Sequence, residues 1–176
     1  MDGRVAFLGD SLTHAGRWEE FFPNHEIANF GIPGETSAEI TSRLEQVIEW
    51  KSEKVILMMG INDLGDGLGS GIILHHYKKI IERVQGLENV ELIIQSLLPV
   101  NFQLFPTTNF QLGDILETNH QLKELCEKEN ITFVDLYPSF STYANELIKE
   151  YTYDGVHLNE AGYRVWKNCL QSENLI

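Results

Sequence analysis

Two runs in this chain, "KVILMM" at residues 54–59 and "VELIIQS" at 90–96, are apolar at almost every position. A strand with one wet face alternates polar and apolar residues, so a run without alternation has to be covered on both faces. Such strands belong to parallel sheets sandwiched between helices, and Met58 and Met59 read as core within one. Shorter runs at Val5–Leu8, Glu26–Asn29 and Ile131–Asp135 complete a set of five predicted strands.

The intervening segments have helical periodicity. "TSAEITSRLEQVIEW", residues 36–50, opens with Thr36 and Glu39 at capping-box spacing and places Ile40, Leu44, Val47 and Ile48 on one face, which predicts a crossover helix. "HHYKKIIERV" and "ILETNHQLKELCEKE" read likewise, the latter with Ile115, Leu122 and Cys126 inward. The last helix is expected to start from Asn159 as N-cap, with Leu158 and Tyr163 at staple spacing and Val165, Trp166, Cys169 and Leu170 buried. With no Pro- or Ser-rich linker, repeat or low-complexity block, residues 1–176 read as a single α/β domain with a mainly parallel sheet.

A formal charge of −13, from 26 acidic against 13 basic residues, argues against nucleic acid or an anionic membrane surface as partner. Cys126 and Cys169 stand apart, without zinc-ligand spacing or a disulfide framework. The longest apolar runs fall well short of a membrane span, and "MDGRVAF" leads straight into the first strand. The expectation is a soluble, cytoplasmic protein.

In open parallel sheets the ligand crevice lies beyond the carboxyl ends of the strands, and every unusual polar cluster of this chain falls at such an end or just before the last helix. The first strand runs into Asp10 and Ser11. The second delivers "NFGIPGET", where Gly31 and Gly34 permit a tight turn and a close backbone approach. The third delivers "GINDLGDGLGSG" with Asn62 at its start, and "YTYDGVHLN" sets Asp154 and His157 three residues apart. Each has a plain reading on its own: Ser11 caps a helix, the glycines make a turn, Asn62 bonds its own backbone, and the last pair is a surface turn. Their coincidence in one chain points to acyl transfer. Of the six histidines, His25, His75, His76 and His120 lack such context and are expected to be solvated.

The stretches "GDSLT" at 9–13, "NFGIPGET" at 29–36, "GINDL" at 60–64 and "DGVHLN" at 154–159 resemble, in order and across nearly the whole chain, the four sequence blocks of the GDSL, or SGNH, hydrolases. The resemblance implies a three-layer, flavodoxin-like α/β/α sandwich with a five-stranded parallel sheet of order 2-1-3-4-5, and hydrolysis of esters or thioesters without a cofactor. It also implies that Ser11 is the nucleophile, that Gly31 and Asn62 serve the oxyanion hole, and that His157 is the base with Asp154 as its partner.

Residue chemistry agrees with those roles. A serine hydroxyl needs an imidazole to take its proton, and His157 is the histidine with a carboxylate at short fixed spacing. The N–H groups of Ser11 and Gly31 and the amide of Asn62 would meet the developing oxyanion, with a helix N-terminus at Ser11 adding a favourable dipole. No G-x-S-x-G elbow occurs, and "GDGLGSG" lacks phosphate-loop and dinucleotide spacing and reads as a mobile rim loop. Asp63 and Asp66 read as solvated rather than as a calcium pair, and no metal is expected. The segment "PVNFQLFPTTNF" is expected to overhang the crevice, with Phe102, Phe105 and Phe110 as an acyl- or alcohol-side wall; Asp10, His14 and Val156 join Phe102 and Phe105 as expected substrate contacts. The expected partner is a small acetyl or short-chain ester, with thioesters and lysophospholipids as other substrates and a homo-oligomer left open. The alternative is a non-catalytic member of the same fold that binds an ester-bearing or carbohydrate ligand or serves as an oligomer subunit.

Overall fold

The computed structural model describes residues 3–176; Met1 and Asp2, the first two residues of the "MDGRVAF" stretch, lie outside the described residues. The strands are β1 (Arg4–Gly9), β2 (Glu26–Gly31), β3 (Lys54–Met58), β4 (Glu91–Gln95) and β5 (Thr132–Val134), all parallel, in the order β2-β1-β3-β4-β5. Helical segments are α1 (Ser11–His14), α2 (Trp18–Phe21), α3 (Ser37–Ser42), α4 (Leu44–Glu49), α5 (Ile61–Gly65), α6 (Ser70–Gln85), α7 (Leu112–Glu129), α8 (Tyr137–Phe140) and α9 (Glu160–Ser172). This is the flavodoxin-like α/β/α sandwich. α3, α6 and α7 pack in succession on one face. On the other, Trp18 of α2 stacks on Phe7 of β1 at 4.2 Å and meets Trp166 of α9 edge-on at 5.0 Å.

The apolar runs behave as their composition requires: Val55 to Met59 and Leu92 to Ile94 are buried throughout. Register sets the crevice. Gly9 pairs with both Gly31 and Met58, so β1, β2 and β3 end at one level and release their loops side by side.

Several local expectations change. The segment 36–50 is two short helices that break at Arg43, which is 8 % exposed and faces inward. Thr36 and Glu39 do form the capping box, and Asn159 does cap α9 by accepting from Gly162 N–H at 3.1 Å. Val165 and Cys169 are half-buried rather than core, whereas Cys126 is buried. α6 begins at Ser70, within the glycine-rich stretch that read as loop. His75 and His120 are exposed, but His25 and His76 are half-buried. Among the described residues no helix is long and apolar enough to cross a membrane.

Candidate active site

Ser11 is the first residue of α1, directly after β1. Asp10 caps this turn: its Oδ1 accepts from Leu12 N–H at 2.9 Å. α1 is one turn long, so the dipole expected at Ser11 is slight. The turn is pinned from outside, because Tyr163 of α9 donates its hydroxyl to the Leu12 carbonyl at 2.8 Å and Trp18 Nε1 donates to the Thr13 carbonyl at 2.7 Å. Asn29 Nδ2 reaches the carbonyls of Thr13, His14 and Gly16 at 3.2, 3.0 and 3.4 Å, closing the C-terminal end of α1.

Ser11 Oγ lies 3.1 Å from His157 Nε2, and His157 Nδ1 lies 2.7 Å from Asp154 Oδ2. The loop that holds the latter pair folds on itself: Asp154 Oδ1 accepts from Val156 N–H at 3.0 Å and His157 N–H at 2.8 Å, which leaves Oδ2 for the ring. Burial pushes the Asp154 carboxyl up, but the ring and the two backbone donors outweigh it and hold the group below its ordinary range. An ionised Asp154 keeps the proton of His157 on Nδ1, so Nε2 presents a lone pair to the Ser11 hydroxyl. Both side chains are about half exposed, at 47 % and 48 %, so the relay opens to solvent.

Gly155 ties this loop to the segment after β4. Its φ is +95°, and a Cβ there would stand 2.6 Å from the Asn101 carbonyl oxygen and 2.9 Å from Phe105 N; Asn101 N–H donates to Gly155 O at 2.8 Å. The aromatic segment therefore packs directly against the loop of Asp154 and His157. Phe102 is half-buried and Phe105 is 37 % exposed, but Phe110 is buried edge-on against Phe102 at 5.7 Å and forms no wall.

Gly31 is corrected as an oxyanion donor. Its N–H already donates to Asn29 Oδ1 at 2.9 Å, and its role is steric: a Cβ would fall 2.2 Å from His14 N. His14 Nδ1 meets the Gly31 carbonyl at 3.0 Å, and the His14 ring is otherwise exposed. Gly34, expected from the sequence as a turn residue, is exposed at the crevice with φ +81° and open space where a Cβ would be. Its N–H meets no acceptor among the described residues. Asn62 Nδ2 donates to the neighbouring Glu35 carbonyl at 2.9 Å, so the Asn62 amide and the Gly34 turn share one corner. The positive φ that Gly34 tolerates was legible in principle; which glycine kept its N–H free depended on where the Asn29 side chain went.

Asp10 is fully buried and is not placed to touch a substrate in the crevice. Its Oδ2 has no hydrogen-bond partner among the described residues, and burial raises the carboxyl from 3.8 to about 6. It lines, with Leu12, Met58, Ile61, Leu97, Leu98, Pro99, Val100 and half-buried Val156, a cavity of about 10 Å³. Asp63 is also fully buried, not solvated: it accepts from Ser37 N–H at 2.8 Å and Ser37 Oγ at 2.5 Å, anchoring α3.

The model of the GDSL-like lipase/acylhydrolase family matches residues 7–165. The platelet-activating factor acetylhydrolase IB subunit alpha1 of Rattus norvegicus is 26 % identical over 174 residues, covering 90 % of this chain and 69 % of that protein. A candidate acylhydrolase of Bacteroides fragilis superposes with a TM-score of 0.88 at 27 % identity, over 99 % of this chain and 89 % of that one. A GDSL-like lipase of Bacteroides thetaiotaomicron, at 24 % identity and a TM-score of 0.87 over 97 % and 87 %, shares the fold.

Proposed function

The chain belongs to the GDSL-like lipase/acylhydrolase family and is a serine hydrolase of esters, and we propose that it works through an acyl-enzyme on Ser11, with His157 as general base and Asp154 as its orienting partner. Ser11 Oγ gives its proton to His157 Nε2 as it attacks the ester carbonyl carbon. The tetrahedral oxyanion is met by the N–H groups of Ser11 and Gly34 and by Asn62 Nδ2, whose second hydrogen is free beyond its bond to Glu35 O. His157 then passes the proton to the departing alkoxide, which leaves an ester on Ser11. Water, deprotonated by the same imidazole, attacks that ester and releases the acid. Asp154 stays ionised and stabilises the imidazolium in both steps. The observation that carries this reading is the line from Ser11 Oγ through His157 to Asp154, at 3.1 and 2.7 Å.

The substrate we propose is a small ester with an acetyl or other short acyl group. The small cavity beside the Ser11 turn, lined by buried Asp10 and by large apolar side chains, holds about 10 Å³, room for no more than one water. The acetylhydrolase relative points the same way. Phe102 and Phe105, on the segment clasping the His157 loop, form the apolar side of the crevice against the alcohol portion, and exposed His14 lies at its rim. The two free thiols suit a reducing cytoplasm. Hydrolysis rates on p-nitrophenyl esters of increasing acyl length, with an acetyl thioester alongside, test the substrate reading: kcat/KM is highest for acetyl and falls with length. A rate that climbs with chain length refutes it in favour of a lipid substrate.

A further inference from the structure

We infer that Arg43 is a positioning residue for the oxyanion site, a buried guanidinium that ties the Ser11 turn to the Gly34 turn; this rests on the reading of Gly34 and Asn62 as donors. Nothing in the proton relay calls for a buried arginine. Yet Arg43 interrupts what its sequence periodicity predicts as one continuous helix, and the interruption turns a cation inward at 8 % exposure. Its Nη2 donates to the Gly9 carbonyl at 3.0 Å and its Nε to Glu35 Oε2 at 2.5 Å. The Glu35 side chain is itself only 17 % exposed.

The two acceptors sit at the two places where the donors must be held. Gly9 is the last residue of β1, two before Ser11, and its carbonyl also accepts Ile32 N–H at 3.0 Å. Ile32 opens the turn that carries Gly34. Glu35 closes that turn, but its own backbone bond across it, Glu35 N–H to Ile32 O, is long at 3.4 Å. The turn is therefore held mainly by side chains: Arg43 grips the Glu35 carboxylate, and Asn62 grips the Glu35 carbonyl at 2.9 Å. One connected set thus joins the ends of β1, β2 and β3, from Gly9 O through Arg43 and Glu35 to Asn62.

A buried ion pair is a poor source of net stability, because the desolvation of both charges offsets their attraction. What it supplies is geometry: the planar fork of arginine sets two acceptors in a fixed relation that a lysine cannot reproduce. Misplacing a catalytic group by about 1 Å can lower a rate roughly 10²-fold, and the Arg43 fork guards against such a shift.

The test compares Arg43→Gln, Arg43→Lys, Glu35→Ala and Glu35→Gln with Asn62→Ala on a short-chain ester, after near-ultraviolet circular dichroism has established the folded fraction of each. Both Arg43 variants and Glu35→Ala are expected to lower kcat about 10- to 10²-fold with KM nearly unchanged. Glu35→Gln, which keeps an acceptor for Nε, recovers most of the rate. Adding Arg43→Lys to Asn62→Ala costs much less than it does in the parent, because both act on one corner. If Arg43→Gln does not fold, the Glu35 pair and the double variant decide. Folded variants whose kcat per folded enzyme equals the parent, or whose effect multiplies independently with Asn62→Ala, overturn the inference. A parent-like kcat in Asn62→Ala itself overturns the underlying donor assignment instead.

Discussion

Asp10→Asn isolates the electrostatic consequence of placing a carboxylate under the Ser11 turn. The change keeps Oδ1 for Leu12 N–H and alters volume hardly at all, so the cap survives. Burial, the largest effect, raises the Asp10 carboxyl from 3.8 to about 6; the Leu12 N–H and the charge of His157 oppose it, and Asp63 reinforces it. Between those two values the folded chain retains a proton that the unfolded chain has released. Stability therefore falls as pH rises through that window, and the loss is complete above about 6. At 1.36 kcal/mol per unit, the whole shift corresponds to about 3 kcal/mol, most of which is lost between roughly pH 4 and roughly pH 8. The buried amide introduced by asparagine carries its own penalty, but that penalty does not titrate. The quantity to measure is therefore the difference in unfolding free energy between variant and parent, by urea titration across that range. It is expected to move in favour of the variant by about 2 to 3 kcal/mol on going to the higher pH, or roughly 4 to 12 °C in Tm for a domain of this size. A difference that is flat with pH refutes the reasoning, since the Asp10 carboxyl would then ionise alike in both states.

Asn62→Ala is expected to lower kcat about 10²- to 10³-fold with little change in KM; a raised KM at constant kcat, read in steady-state assays, would make it a ground-state contact. Gly31→Ala and Gly34→Ala should separate cleanly. The first drives a Cβ to 2.2 Å from His14 N and lowers stability by about 1–3 kcal/mol; the second meets open space, strains a φ of +81° by about 1–2 kcal/mol and chiefly lowers kcat by moving the donor N–H. Thermal melts and kinetics on the same samples check both. His157→Ala is expected to lose most of the activity in steady-state assays; substantial turnover in that variant would assign the base to His14 beside Ser11.

Much of this architecture is written in local pattern. The unbroken apolar runs of β3 and β4 required a two-sided cover, and Asn159 and Thr36 marked helix starts where the structure has them. Ser11, Asn62, Asp154 and His157 stood out because each follows a strand end or precedes the last helix, and register then brings the first two strand ends level. What stayed hidden depends on side-chain partners remote in sequence. Arg43 breaks its helix to reach Gly9, 34 residues away, and periodicity carries no record of that bond. Asp63 resembles any acidic turn residue until Ser37 is folded against it. Gly31 and Gly34 look alike in the sequence, and what separates them as donors is that Asn29 has taken the Gly31 N–H. Asp10 reads as a crevice residue because it adjoins Ser11, but its side chain folds back to cap the turn at Leu12 N–H and is fully buried.

The central claim is that Ser11 carries the acyl group, and covalent labelling tests it most directly. The parent protein is treated with an active-site phosphonate and the adduct is mapped by mass spectrometry, with Ser11→Ala as the control. The account predicts a single adduct on Ser11, none on the variant, and loss of turnover in a variant that melts like the parent. An adduct on Ser70, at the start of α6, or on Ser96, whose buried Oγ accepts from Leu136 and Tyr137 N–H, with Ser11 unlabelled, would contradict it.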